Sequence, residues 1–268
     1  MSGESTADSE PASGAARRAG MRTLIDASSF TRVADLSERF GVSTVTVRAD
    51  LEVLEADGAI MRIRGGAMPA RDLAERPFEQ AQVEAAAQKA SIAAAAVDQL
   101  EPGMTVLLDV GTTTAAIAHE IAARTELRDL TVITSGLTIA LTLEGVLDRL
   151  NVIVTGGSLR RLQHSLVPPL ADAVLGRVHA DIAFIGCTGV DARVGVTNIN
   201  LPETEVKRAM VAAASRVVVV ADSSKLGRVH VGRVAATDAV DLLVTGADAP
   251  SSMLDELRAR GIAGIYTV

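Results

Sequence analysis

The sequence contains no tryptophan, one tyrosine and four phenylalanines, so aromatic residues make up only 2% of it. With 48% hydrophobic residues overall, the core has to be assembled from Ala, Val, Leu and Ile. Such a core suits buried parallel strands covered by helices that approach through small side chains. Cysteine is nearly absent as well: Cys187 alone excludes an intrachain disulfide and a cysteine-rich metal site. His119, His164, His179 and His230 are not spaced as metal-ligand pairs. No apolar run approaches the roughly 20 residues of a membrane span. The first 14 residues are small, polar and acidic, unlike a secretory signal. Walker A and G-x-G-x-x-G loops are both missing, which argues against nucleotide-fuelled or NAD chemistry. The expectation is a soluble cytosolic protein with no membrane partner, no cofactor and no resident metal.

The formal charge of −7 argues against a wholesale nucleic-acid binder, but its distribution is uneven. Residues 17–70 carry eight Arg against seven acids, a net of +1. Residues 1–16 carry three acids and no base, and residues 71–268 hold 18 bases against 23 acids. Any nucleic-acid contact has to be local and lie in the first quarter of the chain.

That quarter contains the stretch TRVADLSERFGVSTVTVRADLEVLEADGAIMRIRGGA, residues 31–67. Ala34, Leu36 and Phe40 are spaced for a short helix that Gly41 ends by supplying a positive φ. Ser43 is placed to cap a second helix by accepting from the amide of Val45 or Thr46. Val47, Leu51 and Leu54 then form one inward stripe. Val45, Arg48, Ala49 and Glu52 occupy the opposite arc, with Thr44 and Thr46 near the N-terminal end. A helix presenting short hydroxyls and one Arg from its first turns fits a major groove. Residues 59–63 read as a strand, and Arg62 and Arg64 flank a loop opened by Gly65 and Gly66. This is a basic wing able to meet phosphates or a minor groove. The plainer alternative is an αα-hairpin followed by a loop.

The run VSTVTVRADLEVLEADGAIMRIRGGA (42–67) resembles the winged helix-turn-helix signature of DeoR-family transcriptional regulators. In that signature a V-S-x-x-T-I-R-R-D-L run leads into L-x-R-x-H-G-G-A. Val42, Ser43, Thr46, Arg48, Asp50, Leu51, Gly58, Arg62, Gly65, Gly66 and Ala67 match it. Ala49 stands where a second basic residue is usual, which removes a DNA contact. Arg64 replaces the usual His and keeps a donor.

Residues 1–14 read as a disordered tail, and 15–27 as a first helix with Met21, Leu24 and Ile25 inward. The DNA-binding domain is expected over 15–68, a linker over 69–78 and a second domain over 79–268. In the latter, 80–100 is alanine-rich and reads as one helix stopped by Pro102 and Gly103. Short β-branched runs follow at 105–108, 131–133, 152–154, 182–185, 217–220 and 242–244. Lacking alternation, they read as strands buried on both faces. Helical candidates between them include 115–123, 139–143, 170–178 and 203–214. The fold class is α/β: a small winged helix-turn-helix domain followed by a doubly wound, mostly parallel effector domain.

Each strand is followed by turn-forming and polar residues: DVGTTT (109–114), TSG (134–136), TGGSLR (155–160), GCTG (186–189), ADSSK (221–225) and TGAD (245–248). Ligands of open α/β sheets bind at the carboxyl ends of the strands. Glycines, hydroxyls and helix-start amides suit a phosphate there. Asp109, Asp222 and Lys225 suit sugar hydroxyls and charge balance. The inferred ligand is a small polyhydroxylated phosphate; ordinary βα turn chemistry is the plainer account.

LLDVGTTT, VITSG, VIVTGGSLRR, FIGCTGVD, NLPETEVKRAM and VVVADSSKLGR are similar to the effector domain of the DeoR family, related in fold to ribose-5-phosphate isomerase. The resemblance implies a sugar-phosphate sensor rather than a catalyst. It places Asp109, Gly111, Thr112, Thr113, Thr114, Thr134, Ser135, Gly136, Gly156, Gly157, Arg160, Glu203, Lys207, Asp222 and Lys225 in the pocket. Lys89 matches a basic family position more loosely, and Pro168 stands where a glycine is usual. Cys187 reads as a small core or pocket residue, and His164 as a residue within reach of a ligand. The remaining histidines read as surface residues.

The expected partners are double-stranded operator DNA, a phosphorylated sugar and a second copy of the chain, as homodimer or homotetramer. The expected function is a sequence-specific regulator, a repressor of carbohydrate-metabolism genes. The alternative is a sugar-phosphate isomerase-type enzyme with an accessory N-terminal module, since Asp109, Glu203, Lys207 and Lys225 include a base and cations.

Overall fold

The computed structural model describes residues 14–26, 31–57, 59–63, 65–69 and 75–268. The chain divides into two units, Met1–Ala74 and Glu75–Val268. Residues 1–13 of the expected tail lie outside the described residues, as do Gly58, Arg64 and half of the expected linker (70–74), whereas Gly14 is already helical.

In the first unit the order is α1 (Gly14–Asp26), β1 (Thr31–Arg32), α2 (Val33–Phe40), α3 (Thr44–Ala56), β2 (Ile60–Ile63) and β3 (Gly66–Pro69). Gly41 ends α2 in the left-handed region with φ 63° and ψ 30°. The Ser43 hydroxyl accepts from the Thr46 amide at 3.1 Å. Val47, Leu51 and Leu54 are buried with Met21, Ile25, Leu36, Ile60 and Ala67. Ala34 is exposed, and Val33, one position earlier, packs on this core in its place. β3 pairs antiparallel with both β1 and β2, closing the wing into a three-stranded sheet. Asp50 is buried and bound by Arg17 at 2.6 Å and Arg18 at 3.4 Å, which ties α1 to α3.

The second unit starts with α4 (Phe78–Val83) and α5 (Ala86–Val97), where the sequence suggested a single helix. Between them Glu84 is extended and Ala85 left-handed, at φ 49°. The cause is a long-range cap. The buried Lys89 ammonium donates to the carbonyls of Ala81 at 2.6 Å and Glu84 at 2.7 Å, satisfying the end of α4. No glycine or proline marks this break.

The elements continue as β4 (Thr105–Leu108), α6 (Thr112–Ala123), β5 (Leu130–Thr134), α7 (Leu137–Glu144), β6 (Leu150–Val154), β7 (Ser158–Arg160), β8 (Ser165–Val167) and α8 (Leu170–Leu175). There follow β9 (Ala180–Gly186), β10 (Gly189–Asp191), β11 (Gly195–Asn198), α9 (Leu201–Ala212), β12 (Ala214–Val220), β13 (Gly232–Ala235), β14 (Leu242–Thr245), α10 (Ser251–Ala259) and β15 (Gly264–Thr267). Seven strands form one parallel sheet in the order β15-β14-β12-β9-β4-β5-β6. From β4 the chain winds outward through β5 and β6, then returns to β9 on the other side and winds out to β15. The topological switch point therefore lies between β4 and β9.

Alternate residues of the central strands feed two cores. Val106, Leu108, Ile182, Phe184, Val218 and Val220 join α5 and α6 on one face. Leu107, Ala183, Ile185, Val217 and Val219 join α8, α9 and α10 on the other. The expected double burial holds for these strands but not at the edge, where β6 is half exposed. β15 was not foreseen, nor were the β7–β8 hairpin and the antiparallel sheet β10-β11-β13. The helix expected over 170–178 stops at Leu175, where the Gly176 amide donates back to the Asp172 carbonyl.

One residue closes the end of α6. The Arg149 guanidinium donates to the carbonyls of Ile121, Ala122, Arg124 and Leu127 at 2.6–3.0 Å. Arg149→Ala is predicted to lower the stability of this unit by about 1.5–3 kcal/mol, read as a fall in the urea midpoint. Arg149→Lys should recover only part of it, because one ammonium cannot meet four carbonyls.

Candidate functional site

The first unit presents the N-terminal half of α3. Ser43, Thr44, Val45, Arg48 and Ala49 are exposed, and Thr46 is half-buried. Arg48 makes no ion pair among the described residues, so its guanidinium is available to an acceptor outside the chain. Val45 is 71% exposed. An apolar side chain standing open beside hydroxyls and an arginine suits a groove containing thymine methyls.

The wing forms where the sequence reading puts it, but its first cation is engaged. Arg62 is not a free cation: it binds Glu52 at 2.7 Å and Glu55 at 2.9 Å, and its amide donates to Glu55 at 2.9 Å. Hydrogen bonding to Glu52 holds the Arg62 guanidinium above its ordinary range, partly offset by desolvation and reinforced by Glu55. Its chemical effect is to neutralise two carboxylates of α3. Gly65 adopts φ 93°, and its carbonyl accepts from the Val33 amide at 3.0 Å, with Gly66 opening β3. Arg64 lies outside the described residues.

In the second unit, Asp109 follows β4 at the switch point and is fully buried. Its Oδ2 accepts from the Gly186 amide at 2.9 Å and from the Lys207 ammonium, which also donates to the Gly186 carbonyl at 3.1 Å. Burial works against the Lys207 charge, but Asp109 and then Glu203 outweigh it and hold the ammonium above the ordinary lysine range. The second oxygen of Asp109 has no partner among the described residues, and neither have the hydroxyls of Ser135 and Thr245. All three follow or end parallel strands on the carboxyl side of the sheet.

Around the pair, α6 opens at Gly111 (φ 143°) without a side-chain cap. The first-turn amides of Thr112 and Thr113 therefore meet no capping side chain. Thr114 instead donates to the Gly111 carbonyl at 3.0 Å. Thr134 accepts from the Gly136 amide at 3.0 Å and so shapes the turn into α7. Gly157 is dictated by packing: a Cβ there would lie 2.4 Å from the Val167 carbonyl oxygen. Gly156, at φ 73°, completes the same turn.

Helix α9 carries Glu203 and Lys207 one turn apart. Its N-cap Asn200 accepts from the Glu203 amide at 3.0 Å. Glu203 accepts from the Arg160 guanidinium and from the Ser165 hydroxyl at 2.5 Å. Asp222 is buried and turned inward to cap its own loop, accepting from the Ser224 amide at 3.1 Å. Lys225 is half-buried and makes no ion pair among the described residues. The structure thus brings two ion pairs together through α9, Asp109 with Lys207 and Glu203 with Arg160.

Several residues have structural work that the sequence did not show. Lys89 is only 6% exposed and is spent on the α4 carbonyls; burial lowers its pKa. His164 bonds Thr138 at 3.1 Å and packs on Phe78 with ring centroids 5.4 Å apart, so it fastens the hairpin. Burial pushes the Cys187 thiol up to about 12 although Lys207 and Lys225 pull the other way, so the thiolate is not formed near neutral pH. Pro168 lies half-buried between β8 and α8. The sequence missed Glu75, Ser165 and Gln88. Gln88 donates to Asp248 at 2.6 Å and accepts from the Ser223 amide at 2.8 Å, linking α5 to the ends of β12 and β14. None of the three sits in a motif that would mark it.

A family described as "DeoR-like helix-turn-helix domain" matches residues 17–71, and one described as "DeoR C terminal sensor domain" matches residues 84–247. The chain belongs to the DeoR family. It is a DNA-binding transcriptional regulator rather than an enzyme. The HTH-type transcriptional regulator GlpR of Haloferax volcanii is 33% identical over 92% of this chain and 96% of its own length. The glycerol-3-phosphate regulon repressor of Escherichia coli is 28% identical over 90% and 94%. Among solved structures, the ribose 5-phosphate isomerase A of Methanocaldococcus jannaschii is 19% identical with a TM-score of 0.38, over 52% of this chain and 53% of that one. A likeness of that size carries no argument, and the relation to that fold stays with the sequence resemblance. No helix among the described residues is long and apolar enough to cross a membrane.

The switch-point pair gives a direct test. Lys207→Met leaves the buried Asp109 carboxylate without its counter-ion, and a loss of about 3–5 kcal/mol in unfolding free energy is predicted. Adding Asp109→Asn should restore most of it, since the neutral pair needs no charge compensation. A single variant as stable as wild type would show the pair to be uncharged in the folded protein.

Proposed function

We propose that this DeoR-family chain is a repressor whose affinity for double-stranded operator DNA is set by a phosphorylated sugar bound at the carboxyl ends of the parallel strands. The observation that carries the reading is the pair of ion pairs held by α9, Asp109–Lys207 at the switch point and Glu203–Arg160 one turn away, together with the uncapped start of α6. An uncapped helix start offers backbone donors and a positive dipole end to a phosphate. Carboxylates with spare acceptor positions suit sugar hydroxyls. The Haloferax and Escherichia relatives, whose names refer to regulation and to a glycerol-3-phosphate regulon, support an effector of this class.

In this reading Gly111, Thr112, Thr113 and Thr114 hold the phosphate with Lys225. Thr134, Ser135, Gly136, Gly156, Gly157 and Asp222 shape the loops, Asp109 and Glu203 meet the hydroxyls, and Lys207 and Arg160 balance the effector's charge. Ser43, Thr44, Val45, Thr46, Arg48 and Ala49 face the major groove, and the wing from Arg62 through Arg64, Gly65 and Gly66 lies on the backbone. The DNA-binding domain spans 15–68, the linker 69–78 and the effector domain 79–268. A dimer matches an operator with dyad symmetry.

Two measurements test the two halves. Arg48→Ala should weaken operator binding by about 1–3 kcal/mol, as loss of a base contact does; unchanged binding by the folded variant in a gel-shift titration would remove Arg48 from the interface. Lys225→Ala should weaken effector binding by about 1.5–3 kcal/mol while operator affinity without effector stays at the wild-type value. An unshifted effector response would place the phosphate elsewhere.

A further inference from the structure

Glu75 is the first residue of the second unit, and its carboxylate is held by Arg160 through two contacts, Nη2–Oε2 at 2.5 Å and Nη1–Oε1 at 3.2 Å. The same guanidinium holds Glu203, which in turn takes the Ser165 hydroxyl at 2.5 Å. Side-chain exposure is 20% for Arg160, 14% for Glu75 and 6% for Glu203. One cation thus serves two largely buried carboxylates, one from the candidate effector site and one from the segment that leads out of the DNA-binding unit.

The contacts around Glu75 fasten residues 75–79 to the β7–β8 hairpin. Gln163 donates to the Arg76 carbonyl at 2.6 Å, and the Phe78 amide donates to the Leu162 carbonyl at 2.9 Å. Phe78 packs on His164, whose Nε2 lies 3.3 Å from Glu79. Arg76 is engaged by Glu84, so among the described residues no second cation contacts Glu75. Of these ties only the Arg160–Glu75 pair is shared with the site.

We infer that Glu75 is a built-in counter-anion of the effector site: an anionic effector and the Glu75 carboxylate compete for Arg160, and binding the first releases the second. The inference rests on the sugar-phosphate reading above. Its physical basis is charge. Arg160 already faces one carboxylate more than it can neutralise, and a third anion beside Glu75 and Glu203 raises the repulsion further. Release of Glu75 relieves it. Because residue 75 is continuous with the chain that carries the DNA-binding unit, the exchange couples effector occupancy to the start of that connection. Linkage requires the reverse as well: whatever holds Glu75 on Arg160 weakens the effector.

The test is Glu75→Gln in the full chain, isosteric but uncharged, with Glu75→Ala as a second variant should the first fail to fold. Calorimetric titration uses inorganic phosphate and a panel of triose, pentose and hexose phosphates, and operator gel shifts follow with the same probes. The variants should bind the anionic probes on the order of tenfold more tightly than wild type, and respond on operator DNA at correspondingly lower probe concentrations. A merely structural tie would weaken binding or leave it alone. Equal or weaker binding by the variants, with wild type binding normally, would overturn the exchange while leaving the sugar-phosphate reading intact. Tighter binding with an unmoved operator response would overturn the coupling to DNA. Binding of no phosphate by wild type or variants would overturn the sugar-phosphate reading, and the exchange with it.

Discussion

The contact between Asp109 and Lys207 is the constraint on which the second unit depends. Two charges are buried where the sheet reverses its winding, joining the end of β4 to α9 and, through Gly186, to the end of β9. A fully buried pair is a poor device for stability alone, because desolvating two ions offsets most of their attraction. Its value here is positional. It fixes a carboxylate and the first turns of α9 at the one place in an open parallel sheet where loops diverge and leave room for a ligand. Glu203, one turn from Lys207, passes the constraint on to Arg160 and Ser165 in the β7–β8 hairpin.

The DNA-facing unit is organised by different means. Its core is small, with no fully buried aromatic side chain among the described residues, and α1 and α3 are additionally pinned by Arg17 and Arg18 on Asp50. Fixing α3 from behind leaves its outer face free for hydroxyls, Val45 and Arg48. Arg62 serves that face indirectly. By covering Glu52 and Glu55 it removes two negative charges from the helix proposed to face DNA. The overall charge of −7 is compatible with this because salt screens exposed charges more than about 8 Å apart.

What could be read from the sequence was local. The Ser43 cap, the Gly41 stop and the Val47–Leu51–Leu54 stripe depend on residues within a turn or two of one another. The central strands announce themselves as β-branched runs because both their faces are covered. What escaped notice depended on distant partners. The break between α4 and α5 is made by Lys89 reaching back to carbonyls, with no glycine or proline to signal it. β7, β8, β10, β11 and β13 are three or four residues long, too short for a periodic pattern. Arg62 looked like a free cation because nothing in a linear reading turns Glu52 and Glu55 toward it. Glu75 sat in an unremarkable linker sequence, and only the hairpin folding back onto it brings Arg160 within reach. The loops after the strands were legible as loops. The division of labour among them was not, since Gly157 and Asp222 prove to shape loops.

The central claim is that occupancy at the switch point of the second unit alters operator binding by the first. Its most direct measurement is the apparent operator Kd of the full chain across a panel of phosphorylated sugars, each beside its unphosphorylated counterpart. The account predicts that at least one phosphorylated member changes the Kd by about 5–150-fold while its unphosphorylated counterpart leaves it unchanged. An operator Kd that no phosphorylated member moves, or that both forms move equally, would contradict it.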